Sequence, residues 1–79
     1  MHITLLGRQA CHLCDEATTV LAALRDRFNL VVTSVDIDGD DDLVSKYGLR
    51  IPVVFGPDGG VLAEGIVTET ALRAVLAKQ

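Results

Sequence analysis

Between residues 2 and 35 the chain runs strand, helix, strand at the spacing of a right-handed βαβ unit. His2-Ile3-Thr4-Leu5-Leu6 is a short, mostly apolar strand, and Gly7-Arg8-Gln9-Ala10 has the composition of the loop that follows it. Leu13, Ala17, Val20, Leu21, Leu24 and Phe28 then fall at offsets of 4, 7, 8, 11 and 15 from the first, marking one face of a helix about four turns long. Asp15 and Glu16 in its first turn and Arg25 and Arg27 in its last suit the helix macrodipole at both ends. After a turn at Asn29, Leu30-Val31-Val32-Thr33-Ser34-Val35 forms the second strand. Its opening apolar run predicts a strand covered on both faces.

The remainder is shorter in its elements. Asp40-Asp41-Asp42 supplies the cap of a short helix through about Tyr47, with Gly48 as its C-terminal stop. Val53-Val54-Phe55 and Val61-Leu62-Ala63-Glu64 flank the turn Gly56-Pro57-Asp58-Gly59-Gly60, a separation that predicts an antiparallel hairpin. Thr68 can cap a closing helix that buries Leu72, Val75 and Leu76. The order is βαβαββα, a single domain over residues 1–79 with no repeat, linker or low-complexity tract. Asp36-Ile37-Asp38-Gly39-Asp40-Asp41-Asp42 superficially resembles a calcium loop. It fails on register: counted from Asp36, the sixth position is Asp41 where glycine is needed and the twelfth is Tyr47 where glutamate is needed.

At 79 residues the chain is close to the smallest size that folds without disulfides or metals, but 49% of it is hydrophobic, enough for a real core. Its only two cysteines, Cys11 and Cys14, are too near each other to staple a fold, because the entropy removed from the unfolded chain grows with loop size. A disulfide between them would be chemical rather than architectural. A net charge of −4 with no Lys/Arg cluster argues against nucleic acid or an acidic membrane as partner. Tyr47, Phe28 and Phe55 are the only aromatic residues, too few for a stacking platform. No stretch approaches a membrane span and no basic region precedes an apolar run at the start, so a reducing cytoplasm is the expected location.

The two cysteines stand where the first strand gives way to the first helix. A thiol at a helix N-terminus faces unpaired backbone N–H groups and the positive end of the macrodipole, which favour the nucleophilic thiolate. Helix-start geometry leaves the first thiol exposed and turns the second into the helix, so Cys11 is the expected nucleophile and Cys14 the resolving thiol. Arg8 and His12 are the two groups able to add positive charge nearby, Arg8 at all pH values and His12 toward acid; Asp15 and Glu16 act oppositely. Two rival readings stay open. The cysteines are small buried hydrophobes of no chemical consequence, or they hold a metal. For the latter, tetrahedral zinc wants four ligands, whereas His12 lies on the same tight loop and His2 is the only other histidine. An iron–sulfur cluster bridged between two chains is the remaining metal option.

Taken together, Cys11-His12-Leu13-Cys14 after the first strand, Ile51-Pro52 before the third and Gly65 after the fourth resemble the thioredoxin fold in its minimal, glutaredoxin-like form. The resemblance spans essentially the whole chain. It extends to a group of small glutaredoxin-like bacterial proteins whose active site also reads C-H-L-C-D. It implies a four-stranded mixed sheet flanked by three helices, and a thiol–disulfide oxidoreductase acting on disulfides of proteins or small molecules. It also reverses one expectation. Composition alone makes the Ile51-Pro52 bond trans, whereas the resemblance implies a cis bond facing the cysteines, with the backbone of Ile51 offered to substrate as a strand edge.

The departures from glutaredoxins concern glutathione. Their usual C-P-Y-C is here interrupted by His12-Leu13, and their usual G-G-x-D after the fourth strand is Gly65-Ile66-Val67-Thr68. The missing second glycine adds bulk, and the missing carboxylate would have paired with the glutathione amino group. No cofactor is expected, and glutathione enters only as a poor co-substrate. A monomer is expected, served by a reductant that the sequence does not identify.

Overall fold

The computed structural model describes residues 1–79 and places eight regular segments in the chain. They are β1 (His2–Gly7), α1 (His12–Phe28), β2 (Val31–Asp36), a 3-10 turn (Ile37–Gly39), α2 (Asp41–Tyr47), β3 (Val53–Phe55), β4 (Val61–Glu64) and α3 (Glu69–Leu76). The sheet order is β2-β1-β3-β4, with β1 parallel to β2 and antiparallel to β3, and β3 antiparallel to β4. This is the expected mixed sheet with three helices. The hairpin carries a register shift between Val54 and Phe55, so that Val54 faces Ala63 while Phe55 faces Val61 and Leu62 is extra.

Alternation along β1 divides the core. Ile3 and Leu5 point to one face, where they meet Ala17, Leu21 and Leu24 of α1, Val54, and Leu72 and Leu76 of α3. Leu6 points to the other, with Val53 and the fully buried Ile37, against Leu43, Val44 and Tyr47 of α2. The central strand is therefore covered on both sides. Replacing a fully buried leucine such as Leu21 by alanine would cost about 2–5 kcal/mol, a sizeable fraction of the stability of a domain this small.

Caps form where the residue types predict them. The Asp40 carboxylate accepts hydrogen bonds from the N–H groups of Asp42 (2.9 Å) and Leu43 (3.3 Å) at the start of α2. The Thr68 hydroxyl accepts one from Ala71 (3.2 Å) at the start of α3. Asn29 ends α1 in the left-handed conformation with φ 53°.

Two expectations need correction. β2 is not covered on both faces: it is an edge strand, Val31 is 62% exposed, and Thr33, Ser34 and Asp36 are also exposed. The doubly covered parallel strand is β1. Leu13 does not belong to the buried face of α1, because that stripe begins at Cys14 and continues through Ala17, Leu21 and Leu24. Gly48 ends α2 as expected, with φ −54°. A side chain there would place its β-carbon 2.5 Å from the Val44 carbonyl oxygen, so close approach of backbone is what the position requires.

Candidate active site

Cys11 is the N-cap of α1. Its backbone is extended (φ −112°, ψ 105°), and its sulfur accepts a hydrogen bond from the Cys14 N–H at 3.1 Å. The side chain thus does at this helix start what serine or aspartate does elsewhere, satisfying one of the unpaired N–H groups. The preceding residue, Ala10, adopts a positive φ of 56°, a conformation costly for a residue with a β-carbon. That turn brings the chain out of β1 and into the helix within four residues.

Cys11 and Cys14 are joined by a disulfide with their α-carbons 5.2 Å apart. They differ in environment: Cys11 is half-buried, whereas Cys14 is only 6% exposed and packs against Gly7 at the end of β1. A reagent approaching from solvent meets the first sulfur before the second.

The Ile51-Pro52 bond is cis, as the resemblance implies. Leu6 faces Val53 in the antiparallel ladder between β1 and β3, so one further step in register sets Pro52 beside Gly7, the residue in contact with Cys14. The buried Pro52 offers its carbonyl to the Gly65 N–H at 2.8 Å, and Gly65 takes φ 72°, which suits glycine. The three landmarks separated in sequence thus meet at one end of the sheet. Ile51 departs from a free strand edge in one respect. Its N–H already donates to the Tyr47 carbonyl at 3.1 Å, leaving its own carbonyl as the group without a partner in the chain.

The two residues expected to add positive charge are both paired. Arg8 donates from Nε (3.1 Å) and Nη2 (2.5 Å) to one carboxylate oxygen of Asp38, so its charge is opposed rather than free. His12 projects into solvent, with Nε2 at 3.5 Å from a Glu16 oxygen one helical turn on. Asp38 had no individual signal within the acidic run. That run proves to be three separate devices: Asp36 caps the 3-10 turn, Asp38 holds Arg8 and Asp40 caps α2.

Two shallow grooves flank the disulfide. One, of about 250 Å³, lies on the β2 side and is bordered by Gly7, Arg8, Cys14, Asp15 and Asp36. The other, of about 550 Å³, runs between α1 and the segment entering α3, bordered by His12, Glu16, Val20, Ile66 and Thr68. Leu13 (37%) and Ile66 (77%) are exposed apolar side chains, the first between the two cysteines in sequence and the second on the wall of this groove. No group of three or more His, Cys, Asp or Glu side chains is arranged to hold a metal ion. No helix is long and apolar enough to cross a membrane.

Beyond the disulfide, Arg50 donates to Glu64 at 2.7 Å, and its guanidinium lies 5.0 Å from the centre of the Tyr47 ring. The hydrogen bond to Glu64 raises the pKa of Arg50 above the ordinary arginine value. Sequence reasoning missed this pair. Its members are separated by strand β3, and only the pairing of β3 with β4 brings them together.

Comparison with known proteins agrees with this arrangement. Residues 2–77 match the family model of the glutaredoxin-like domain (DUF836). The chain is similar to the target protein XcR50 from X. campestris, at 40% identity over 98% of this chain and 97% of that one, with a TM-score of 0.86. It is also similar to protein Ne2328 from Nitrosomonas europaea, with 27% identity, 92% and 87% coverage and a TM-score of 0.78. A mutant thioredoxin from Halobacterium salinarum superposes with a TM-score of 0.69 at 27% identity, covering 98% of this chain and 72% of that one. No curated protein matches the chain.

Proposed function

Because the chain belongs to the glutaredoxin-like domain family, we propose that it catalyses thiol–disulfide exchange, with Cys11 as nucleophile and Cys14 as resolving thiol. The observation that carries this reading is the Cys11–Cys14 bond at a helix start, with the Cys14 N–H directed at the Cys11 sulfur at 3.1 Å. In the reduced protein the same N–H and the helix terminus stabilise negative charge on Cys11.

The reaction proceeds in two displacements. The Cys11 thiolate attacks one sulfur of a substrate disulfide, the substrate S–S bond breaks, and the first substrate thiolate leaves and takes up a proton from solvent. Cys14 then loses its proton to solvent and attacks the Cys11 sulfur of the mixed disulfide. The Cys11–Cys14 bond forms and the second substrate thiolate departs. Two electrons pass to the substrate, and a separate dithiol or thiol reductant returns them to the protein. Burial of Cys14 beside Gly7 keeps the resolving sulfur within reach of Cys11 and out of reach of bulk disulfides. The reduced state this cycle requires fits a reducing compartment such as the cytoplasm.

Trapping tests the roles. Cys14→Ser accumulates mixed disulfides through Cys11, whereas Cys11→Ser accumulates few; equal trapping by both variants would contradict the assignment. Equilibration of the wild-type protein in thiol redox buffers yields a two-electron midpoint, and metal content is assayed on the same sample. A sample carrying stoichiometric metal or iron and no reversible disulfide would transfer the cysteines to a binding role.

A further inference from the structure

The two edges of the sheet differ. β4 has four residues and carries the bulge at Leu62, and shortness and bulges both blunt an edge against further pairing. β2, at the other edge, has six residues in regular register with β1 and contains no proline, lysine or arginine. In a parallel ladder a residue turns its N–H and its C=O to the same side, and successive residues alternate. The Val31 N–H donates to the Met1 carbonyl at 2.8 Å, so Val31, Thr33 and Val35 face β1. Val32 and Ser34 therefore turn their main-chain groups outward, where no strand lies beside them. The neighbouring side of α1 is open as well, with Asp15, Thr18, Ala22 and Arg25 all exposed. These residues border two grooves that meet at Leu5, Thr18 and Ser34: one reaches Cys14, Asp15 and Asp36, the other Val32 and Arg25. Charge is thus polarised along the edge, with carboxylates beside the end of β2 and a guanidinium beside its start. Arg8, at the acidic end, is already held by Asp38, and Arg25 has only the adjacent Asp26 within ion-pair range, at 3.5 Å.

We propose that β2 pairs antiparallel with β2 of a second copy of this chain, about a two-fold axis at Thr33, to form a weak dimer with one continuous sheet. Charge complementarity selects the occupant. An antiparallel two-fold sets the start of each strand against the end of the other, so Arg25 of each copy comes to the Asp15 and Asp36 end of its neighbour. In this register Val32 lies opposite Ser34 of the other copy, and these are the residues whose outward N–H and C=O groups are free to be exchanged. Val31, 62% exposed in the single chain, comes opposite the half-buried Val35, an apolar cross-strand pair that the solvated edge lacks. Thr18 and Ala22, small side chains between the charged ends of the open helix face, leave room for the second α1. The dimer goes beyond the exchange reading and stands whether or not the cysteines exchange.

Sedimentation equilibrium of the oxidised protein from about 10 μM to about 1 mM should show reversible dimerisation with a Kd on the order of 100 μM, as suits an interface of less than standard size. Raising the salt from about 50 to about 500 mM should weaken it about threefold or more. Amide hydrogen exchange at the two ends of the concentration range should slow at Val32 and Ser34 and stay unchanged at Val31, Thr33 and Val35. Ser34→Pro removes an outward donor while leaving the ladder to β1 whole, and should weaken the dimer about tenfold. Val31→Lys, which charges the edge, serves the same purpose should the proline prevent folding, as judged by circular dichroism of the dilute protein. Arg25→Asp and Asp15→Arg should each weaken the dimer about fivefold, and the two together, which reverse the polarity but keep it complementary, should return the Kd to within about twofold of wild type. A wild-type protein still monomeric at the highest concentration would overturn the proposal, as would a dimer held by an intermolecular disulfide on a non-reducing gel. Dimerisation indifferent to the folded edge variant would place the contact elsewhere and refute it, and a charge exchange that fails to restore pairing would refute the antiparallel arrangement.

Discussion

Gly7 lies against the resolving cysteine: a β-carbon at position 7 would stand 3.2 Å from the Cys14 sulfur and 3.3 Å from its β-carbon. In the oxidised protein that sulfur is tethered to Cys11 and cannot turn aside, so the contact must be relieved by strand β1 or by the helix start. Gly7→Val should destabilise the oxidised protein by about 1–3 kcal/mol, the ordinary cost of overpacking, as measured by urea unfolding. In the reduced protein the Cys14 side chain can change rotamer and the penalty shrinks. The midpoint potential of the variant should therefore move toward less negative values in the thiol redox buffers. An unchanged midpoint would show that the strand yields instead of the disulfide.

Ala10 leads to a second prediction. It is one of two residues other than glycine with positive φ, and the other, Asn29, has a side chain that tolerates the left-handed region at a helix end. Ala10→Gly removes the steric conflict of the β-carbon but gives the unfolded chain more freedom, and at φ 56° the first effect outweighs the second. A gain of about 0.5–1 kcal/mol is expected in chemical denaturation. A loss of stability would mean that this stretch of loop is held by contacts of the Ala10 methyl.

Legibility in the sequence followed the range of the interaction concerned. β3 and β4 begin and end where the apolar runs and the glycine-rich turn between them predict, and Asp40 and Thr68 cap the helices their residue types suit. The cis Ile51-Pro52 bond came from likeness to a family, since composition favours trans. What stayed hidden depends on sheet order and on pairs distant in sequence. An apolar run reads alike in a central strand and in an edge strand, so the exposure of Val31 could not be foreseen. Periodicity likewise places Leu13 beside the helix stripe without saying that the stripe begins one residue later, at Cys14. Arg8 and Asp38 are 30 residues apart and Arg50 and Glu64 are 14 apart, distances over which local pattern carries no pairing information. The cysteine pair at the helix start was legible, whereas the partners of Arg8 and Arg50 were not.

The pairing of Arg8 with Asp38 changes what its removal should do. A free guanidinium would support a thiolate in the loop it enters, but here the Asp38 carboxylate accepts two of its N–H groups and offsets its charge. Asp38→Asn should expose that charge. In a Cys14→Ser background, alkylation of Cys11 at neutral pH should accelerate by about two- to threefold at low salt, with the gain shrinking as ionic strength rises. Arg8→Met alone should change the rate less than Asp38→Asn does. Equal and opposite effects of the two substitutions would indicate that Arg8 acts on Cys11 in spite of its partner.

Substrate preference between glutathione and other disulfides turns on Ile66 and Thr68. Ile66 is 77% exposed on the wall of the groove between α1 and the segment entering α3, where its side chain adds bulk that glycine would not. Thr68 caps α3 through the Ala71 N–H, and aspartate is at least as good a cap, so Thr68→Asp places a carboxylate there without sacrificing the helix start. A carboxylate partner for the glutathione amino group supplies a charge-assisted hydrogen bond of about 1.5–3 kcal/mol, or roughly one to two decades of affinity. The wild-type protein should therefore reduce glutathione mixed disulfides slowly. Ile66→Gly and Thr68→Asp introduced together should lower the KM for a glutathionylated peptide by about tenfold or more while leaving that for the same peptide bearing a cysteamine adduct within about twofold. Equal gains on both adducts would trace the effect to access rather than to recognition of the amino group. Wild-type turnover on glutathionylated peptide matching that of a dithiol glutaredoxin would show that specificity resides elsewhere on the site.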